Sequence, residues 1–249
     1  MKNLIMTLAA IALSASVALA QPKVKSKKEA EAVQAVFNAA TPDARIAAVE
    51  SLLQNFADTE FKAIALQVAA ASAQEKNDFE KMVIYGERTL EADPKNFSAM
   101  LMLGSGYAQR TREHDLDKEE KLKTAEKYSN GALEALKTAV KPRPDITDEQ
   151  WEGAKKDFAA QAHEALGMVA ITRKKYPEAI EHFKTAMATA ATPDVTTKVR
   201  LAAAYNSDAK WDDALKLLDE VLADANLNPA VRQFAGQEKL KAAMGKAKK

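Results

Sequence analysis

The chain has 249 residues, 29% of them charged and 47% hydrophobic but only 6% aromatic. A formal net charge of +1 excludes the basic excess on which non-specific binding to nucleic acid or anionic membrane depends. No cysteine is present, so disulfides, thiol chemistry and cysteine lipidation are excluded as well.

Only 8 glycines and 8 prolines occur, and most of the prolines sit at element boundaries, while Ala, Leu, Glu and Lys dominate. That composition predicts an all-helical chain. No segment has the alternation and turn chemistry of strands.

Residues 1–20, MKNLIMTLAAIALSASVALA, have the form of a secretory signal. Lys2 supplies the positive end, Leu4 to Leu13 the apolar run, and Ala18-Leu19-Ala20 the small-x-small cleavage site. The run is short for a membrane span, and no later segment approaches span length. Cleavage after Ala20 would remove one lysine and leave acids and bases equal. The expectation is an exported protein, periplasmic or secreted, with no stable membrane insertion after processing.

Residues 21–28 read as a polar, Lys-rich tether, and 29–57 as a helix pair. Thr41 is placed to cap the second of these helices and Pro42 to occupy its first turn. A further helix is predicted from Asp58 or Thr59, with Phe61, Ile64, Leu66 and Val68 at helical spacing. Next, DFEKMVIYGERTLEADPKN over 78–96 predicts a helix ended by Asp-Pro, and Phe97–Tyr107 a helix carrying Leu103-Gly104-x-x-Tyr107.

The charged stretch 109–123 is predicted to be an inserted solvated loop or hairpin tip, followed by a helical face through Ala125, Tyr128, Ala132 and Leu136 to Val140. Lys141-Pro142-Arg143-Pro144 breaks the helix. Thr147-Asp148-Glu149-Gln150 has the form of a capping box and opens a helix of about 26 residues. Beyond it, Gly167 and Ala202, Tyr176 and Trp211, and Ala179 and Ala214 all share one offset of 35 residues.

These residues carry a resemblance. Leu166-Gly167, then Tyr176, Ala179, Phe183 and Ala186, followed by Leu201, Ala202, Tyr205, Trp211, Ala214 and Leu218, resemble the tetratricopeptide repeat (TPR), a 34-residue helix-turn-helix unit. The resemblance extends over about 58–228, with repeats near 63–96, 97–140, 160–193 and 194–228. Residues 229–249 would form a capping helix with a polar outer face, and a basic tail. The implied fold class is all-α: a right-handed α-solenoid of stacked antiparallel helix hairpins with a C-terminal capping helix. Small residues at the repeat positions, Gly104 among them, would let paired helices touch.

The resemblance implies a concave groove lined by each repeat's first helix. Leu101 and Ser105 would face it from the second repeat. Gln161, Glu164, Met168, Ile171 and Thr172 would do so from the third, and Val199 and Asn206 from the fourth. The carboxylate clamp of some family members is not matched, because Gln67 and Ala71 stand at two of its positions and only Arg200 is similar.

A search for chemistry gives no catalytic, metal or cofactor site. His163-Glu164 opens an H-E-x-x-H pattern, but Gly167 stands where the second histidine belongs. His163 falls at a packing position, and His182 is expected near solvent. Asp115-x-Asp117 lacks the glycine and terminal glutamate of a calcium loop. The functional expectation is a non-enzymatic exported scaffold whose groove binds another protein or an extended peptide of the cell envelope. The alternative is a periplasmic solute-binding protein with a pocket inside the superhelix. No nucleic acid partner is expected.

Overall fold

Capping side chains mark where many of the helices begin. In this computed structural model, which describes residues 22–248, the Ser26, Thr41, Asp78, Thr147, Asp194 and Asn228 side chains each accept a backbone N–H at a helix start. Such a bond satisfies one of the donors that a helix terminus leaves open. At Thr147 the full capping box forms, with Gln150 returning a bond to the Thr147 backbone. Pro42 and Pro229 occupy first-turn positions, where the missing N–H costs nothing. The expected signal segment, 1–20, lies outside the described residues.

Eleven helices result among the described residues. They are α1 (Lys27–Asn38), α2 (Pro42–Asn55), α3 (Lys62–Glu75), α4 (Phe79–Ala92), α5 (Phe97–Arg110), α6 (Lys118–Lys137), α7 (Asp148–Thr172), α8 (Tyr176–Thr189), α9 (Val195–Ser207), α10 (Trp211–Leu222) and α11 (Pro229–Ala247). No strand occurs among these residues. The chain divides into two units, and the division falls inside α5, after Met102.

In the first unit, α1 to α4 pack each against the next. Val33, Val36, Val49, Leu52, Leu66 and Tyr85 form its buried core. Two expectations change here. The tether is not free: the Lys25 ammonium donates to the Asp58 carboxylate at 2.6 Å, and the Lys23 N–H donates to Glu60 Oε2 at 2.8 Å. The next helix starts at Lys62 rather than at 58 or 59, because Asp58 to Glu60 form the turn that holds this N-terminal strap.

In the second unit, α6 to α11 again pack in chain order, and α11 also touches α9. Three buried clusters follow one another along it. The first includes Leu122, Ala125 and Val169, the second Ile180, Phe183 and Leu201, and the third Ala202, Leu218 and Val221. This is the consecutive hairpin packing of an all-α solenoid, in which each element buries its apolar face on its neighbours.

The turns repeat as the helices do. Asn77, Lys174 and Ala209 take positive φ of 58°, 61° and 55° at the ends of α3, α7 and α9. In each case the following N–H reaches back to a carbonyl five residues earlier: Asp78 to Ala73, Lys175 to Ala170 and Lys210 to Tyr205, all at 2.9 Å. These are Schellman closures, which satisfy the last carbonyls and reverse the chain.

The insertion also differs from expectation. Only 111–117 lie outside helices, and from Lys118 onward the charged stretch is the first part of α6. Arg173 at the end of α7 donates to Glu119 at 3.2 Å and Glu126 at 3.1 Å, and Lys174 pairs with Glu113. The charges therefore dock this segment. The following helix stops at Lys137, short of the expected Val140.

Candidate binding face

In the second unit, α7 and α9 are the first helices of successive hairpins, and the single-turn connections force them to alternate with α8 and α10. Polar side chains bridge each first helix to the next. The Glu164 carboxylate accepts from the Thr197 hydroxyl and, at 3.1 Å, from Arg200 Nη1. Asn206 Nδ2 donates to the Glu238 carbonyl at 2.9 Å and to its carboxylate at 2.7 Å. The Asn206 Oδ1 atom is buried and has no protein partner. Burial pushes the Glu164 carboxyl up, and the Arg200 guanidinium opposes that shift.

The expected groove residues separate by burial. Gln161 is exposed, and Glu164, Met168, Ile171 and Thr172 are half-buried. Ile171 packs on the Phe183 cluster, and Met168 lies between that cluster and the Val169 cluster. The Thr172 hydroxyl is turned back onto the Met168 carbonyl at 3.0 Å. Leu101, Ser105, Val199 and Asn206 are buried, which corrects their expected place on an open face. Val199 belongs to the Leu218 cluster, and Asn206 is the bridge to α11. The face that remains accessible runs through Gln161, Glu164, Met168 and Thr172 on α7 to Arg200 and Ala203 on α9.

His163 and His182 meet between α7 and α8, with their Nδ1 atoms 3.3 Å apart and ring centroids 5.6 Å apart. His182 is half-buried, which corrects its expected place near solvent. Burial lowers the His163 imidazole, and the His182 charge lowers it further. Burial also lowers His182, opposed by Glu178 and Glu126. The nearly collinear centroids and nitrogens describe one N–H shared between two rings, and a metal bridging both nitrogens would need a bent approach. No group of three or more metal-capable side chains occurs among the described residues. No described helix is long and apolar enough to cross a membrane.

The family model described as Tetratricopeptide repeat matches residues 170–238, from the end of α7 to α11. Among solved structures, the chain is similar to TTC0263, a thermophilic TPR protein of Thermus thermophilus. The two are 18% identical over 80% of this chain and 91% of that one, with a TM-score of 0.56. MamA is similar at 19% identity over 72% of this chain and 95% of its own, with a TM-score of 0.40. Acl4, the assembly chaperone of RpL4, is similar at 11% identity over 89% and 96% respectively, with a TM-score of 0.43. No curated protein matches the chain.

Proposed function

We propose that the chain, whose residues 170–238 match the tetratricopeptide-repeat model, works as a non-enzymatic scaffold of the cell envelope, exported by its 1–20 segment, and binds an extended peptide of another protein. The observation that carries this reading is the accessible α7–α9 face. Its exposed Gln161 and partly exposed Glu164 and Arg200 lie beside the half-buried apolar surface of Met168. An extended peptide offers backbone donors and acceptors at regular spacing, and a face of alternating amide, carboxylate and guanidinium groups can pair with them while the thioether takes up a side chain. Thr197 and Arg200 hold the Glu164 carboxylate in place, so it meets a partner already oriented.

The test is photocrosslinking in cells, with a benzoylphenylalanine placed at Gln161 or Ala203, followed by mass spectrometry of the adduct and of the mature N-terminus. A discrete polypeptide adduct at both positions, on a chain beginning at Gln21 and found in the envelope fraction, is the expected result. Absence of any adduct at either position, or an intact residue 1–20 on a cytoplasmic chain, rules the proposal out.

A further inference from the structure

The seam of the α7–α8 hairpin carries an apolar contact and, beside it, a titratable one. His163 stands on α7 one turn before Gly167, and His182 stands on α8 next to Phe183, the ring that presses on Gly167. Both histidines are half-buried, with Nδ1 atoms 3.3 Å apart and ring centroids 5.6 Å apart. Two carboxylates act on His182 from outside the pair: Glu178, one turn before it on α8, and Glu126 on α6. Each is already shared with a cation, Glu178 with Lys175 at 3.1 Å and Glu126 with Arg173 at 3.1 Å.

The proton inventory of such a pair decides when its bond can exist. While both rings are neutral, one donates its Nδ1–H and the other accepts on a bare Nδ1. A first added proton goes to Nε2 of the donor ring, away from the contact, so the bond survives and becomes charge-assisted. His182 is that donor, because Glu178 and Glu126 favour its charge, whereas the His182 charge opposes one on His163. His163 already carries its proton on Nε2, so a second added proton has only the accepting Nδ1 to go to. Two N–H groups would then face each other across 3.3 Å, on two like charges. Glu178 and Glu126, shared with Lys175 and Arg173, do not cancel that repulsion in full.

We propose that His163 and His182 form an acid-released latch between α7 and α8, which one added proton leaves shut and a second opens. Opening parts the two rings and loosens the neighbouring seat of Phe183 on Gly167, so α8 is the element that yields. The response belongs between pH 7 and pH 5, above the ordinary carboxylate range. Glu164 is the exception on α7, since burial raises its carboxyl toward that window, but it is bonded to Thr197 and Arg200 of α9. The inference does not rest on the α7–α9 face.

The test is amide exchange of the whole chain from pH 7 to pH 5, corrected for the intrinsic rate, beside an NMR titration of the two histidine Cε1–H resonances. The α8 opening constant should rise by up to about tenfold per pH unit, the slope for one proton taken up on opening. Protection of α10 should stay level. His163→Gln and His182→Gln should each abolish the response, because an amide offers the remaining ring both a donor and an acceptor. Glu164→Gln should keep it. The two resonances should move in separate steps, His182 first. A single shared step, or an α8 opening constant that ignores pH, overturns the proposal. So does an equal response in α8 and α10, or one that survives both histidine variants. Should either variant fail to fold by circular dichroism at pH 7, the wild-type titration decides alone. Zinc chloride that protects α8 at pH 7 in the wild type, but not in His163→Gln, would overturn the latch in favour of a metal site.

Discussion

Two glycines in corresponding repeat positions should respond to the same substitution with opposite signs. Gly167 lies under the Phe183 ring, whose nearest atom is 2.7 Å from the place of a Cβ. Gly167→Ala must push a fully packed ring aside, so it should lower stability by about 1–3 kcal/mol. Gly236 has open space and lies inside α11, where a glycine leaves helix propensity unused. Gly236→Ala should therefore raise stability by roughly 0.5–1 kcal/mol. Urea unfolding of both variants reads the contrast, and equal effects would mean that α8 does not press on α7 at this point. The histidine pair gives a second test at this scale. Folding lowers both imidazoles, so below about pH 6.5 the unfolded chain holds more protons than the folded one. Stability is then complete above that pH and declines as pH falls toward the lowered folded values. His163→Gln should flatten this segment of the melting temperature–pH curve relative to the wild type, while the carboxylate-dependent decline near pH 4 persists. An unchanged curve would mean that both rings titrate as in water. Sequence could place His163 at a packing position, but not pair it with His182. Helical spacing fixes the face of one helix, and the facing side chain comes from another.

The elements were legible where their signals are local. Thr41-Pro42, the Thr147–Gln150 box and the 35-residue offset lie within a few residues or within one repeat, and each has its structural counterpart. The left-handed turn residues were not visible, because Lys174 and Ala209 are not the glycine or asparagine that such positions favour. Ala209→Gly removes the steric cost of that conformation and should stabilise the chain by about 0.5–1 kcal/mol, whereas Ala209→Val should destabilise it. Chemical denaturation decides between them, and the reverse order would place the φ elsewhere. The inserted stretch is illegible for a different reason. A run of charges reads as solvated when its partners are distant in sequence, and the partners here, Arg173 and Lys174, lie some fifty residues on. Arg173→Met should cost only about 1 kcal/mol of global stability, because the Glu119 side chain is 56% exposed and the Glu126 side chain still 37% exposed. Amide exchange should nevertheless rise sharply over 111–122 and leave α7 unchanged. Uniform exchange across both segments would contradict the docking.

At the scale of the molecule, burial decided which expected groove residues face outward. Gln161 and Glu164 do, but Val199 and Asn206 are covered by helices that follow them in the chain, and a repeat register alone does not weigh that cover. The covering helix is α11, and its two faces differ. Ala235 and Ala242 are fully buried against α9 and α10, so this inner face closes the last apolar cluster even though the outer face is open. Ending the chain at Leu227 would uncover Val199, Ala202 and Val221 and leave the Asn206 amide without its acceptor on Glu238. In a repeat array each unit depends chiefly on its neighbours, so the damage should spread only one hairpin inward. Hydrogen exchange of the truncated chain should show α9 and α10 losing protection while α6 and α7 keep theirs. Loss of protection through α6 would instead mean that the second unit folds all-or-none, and its hairpins could not then be treated as separable steps of a solenoid.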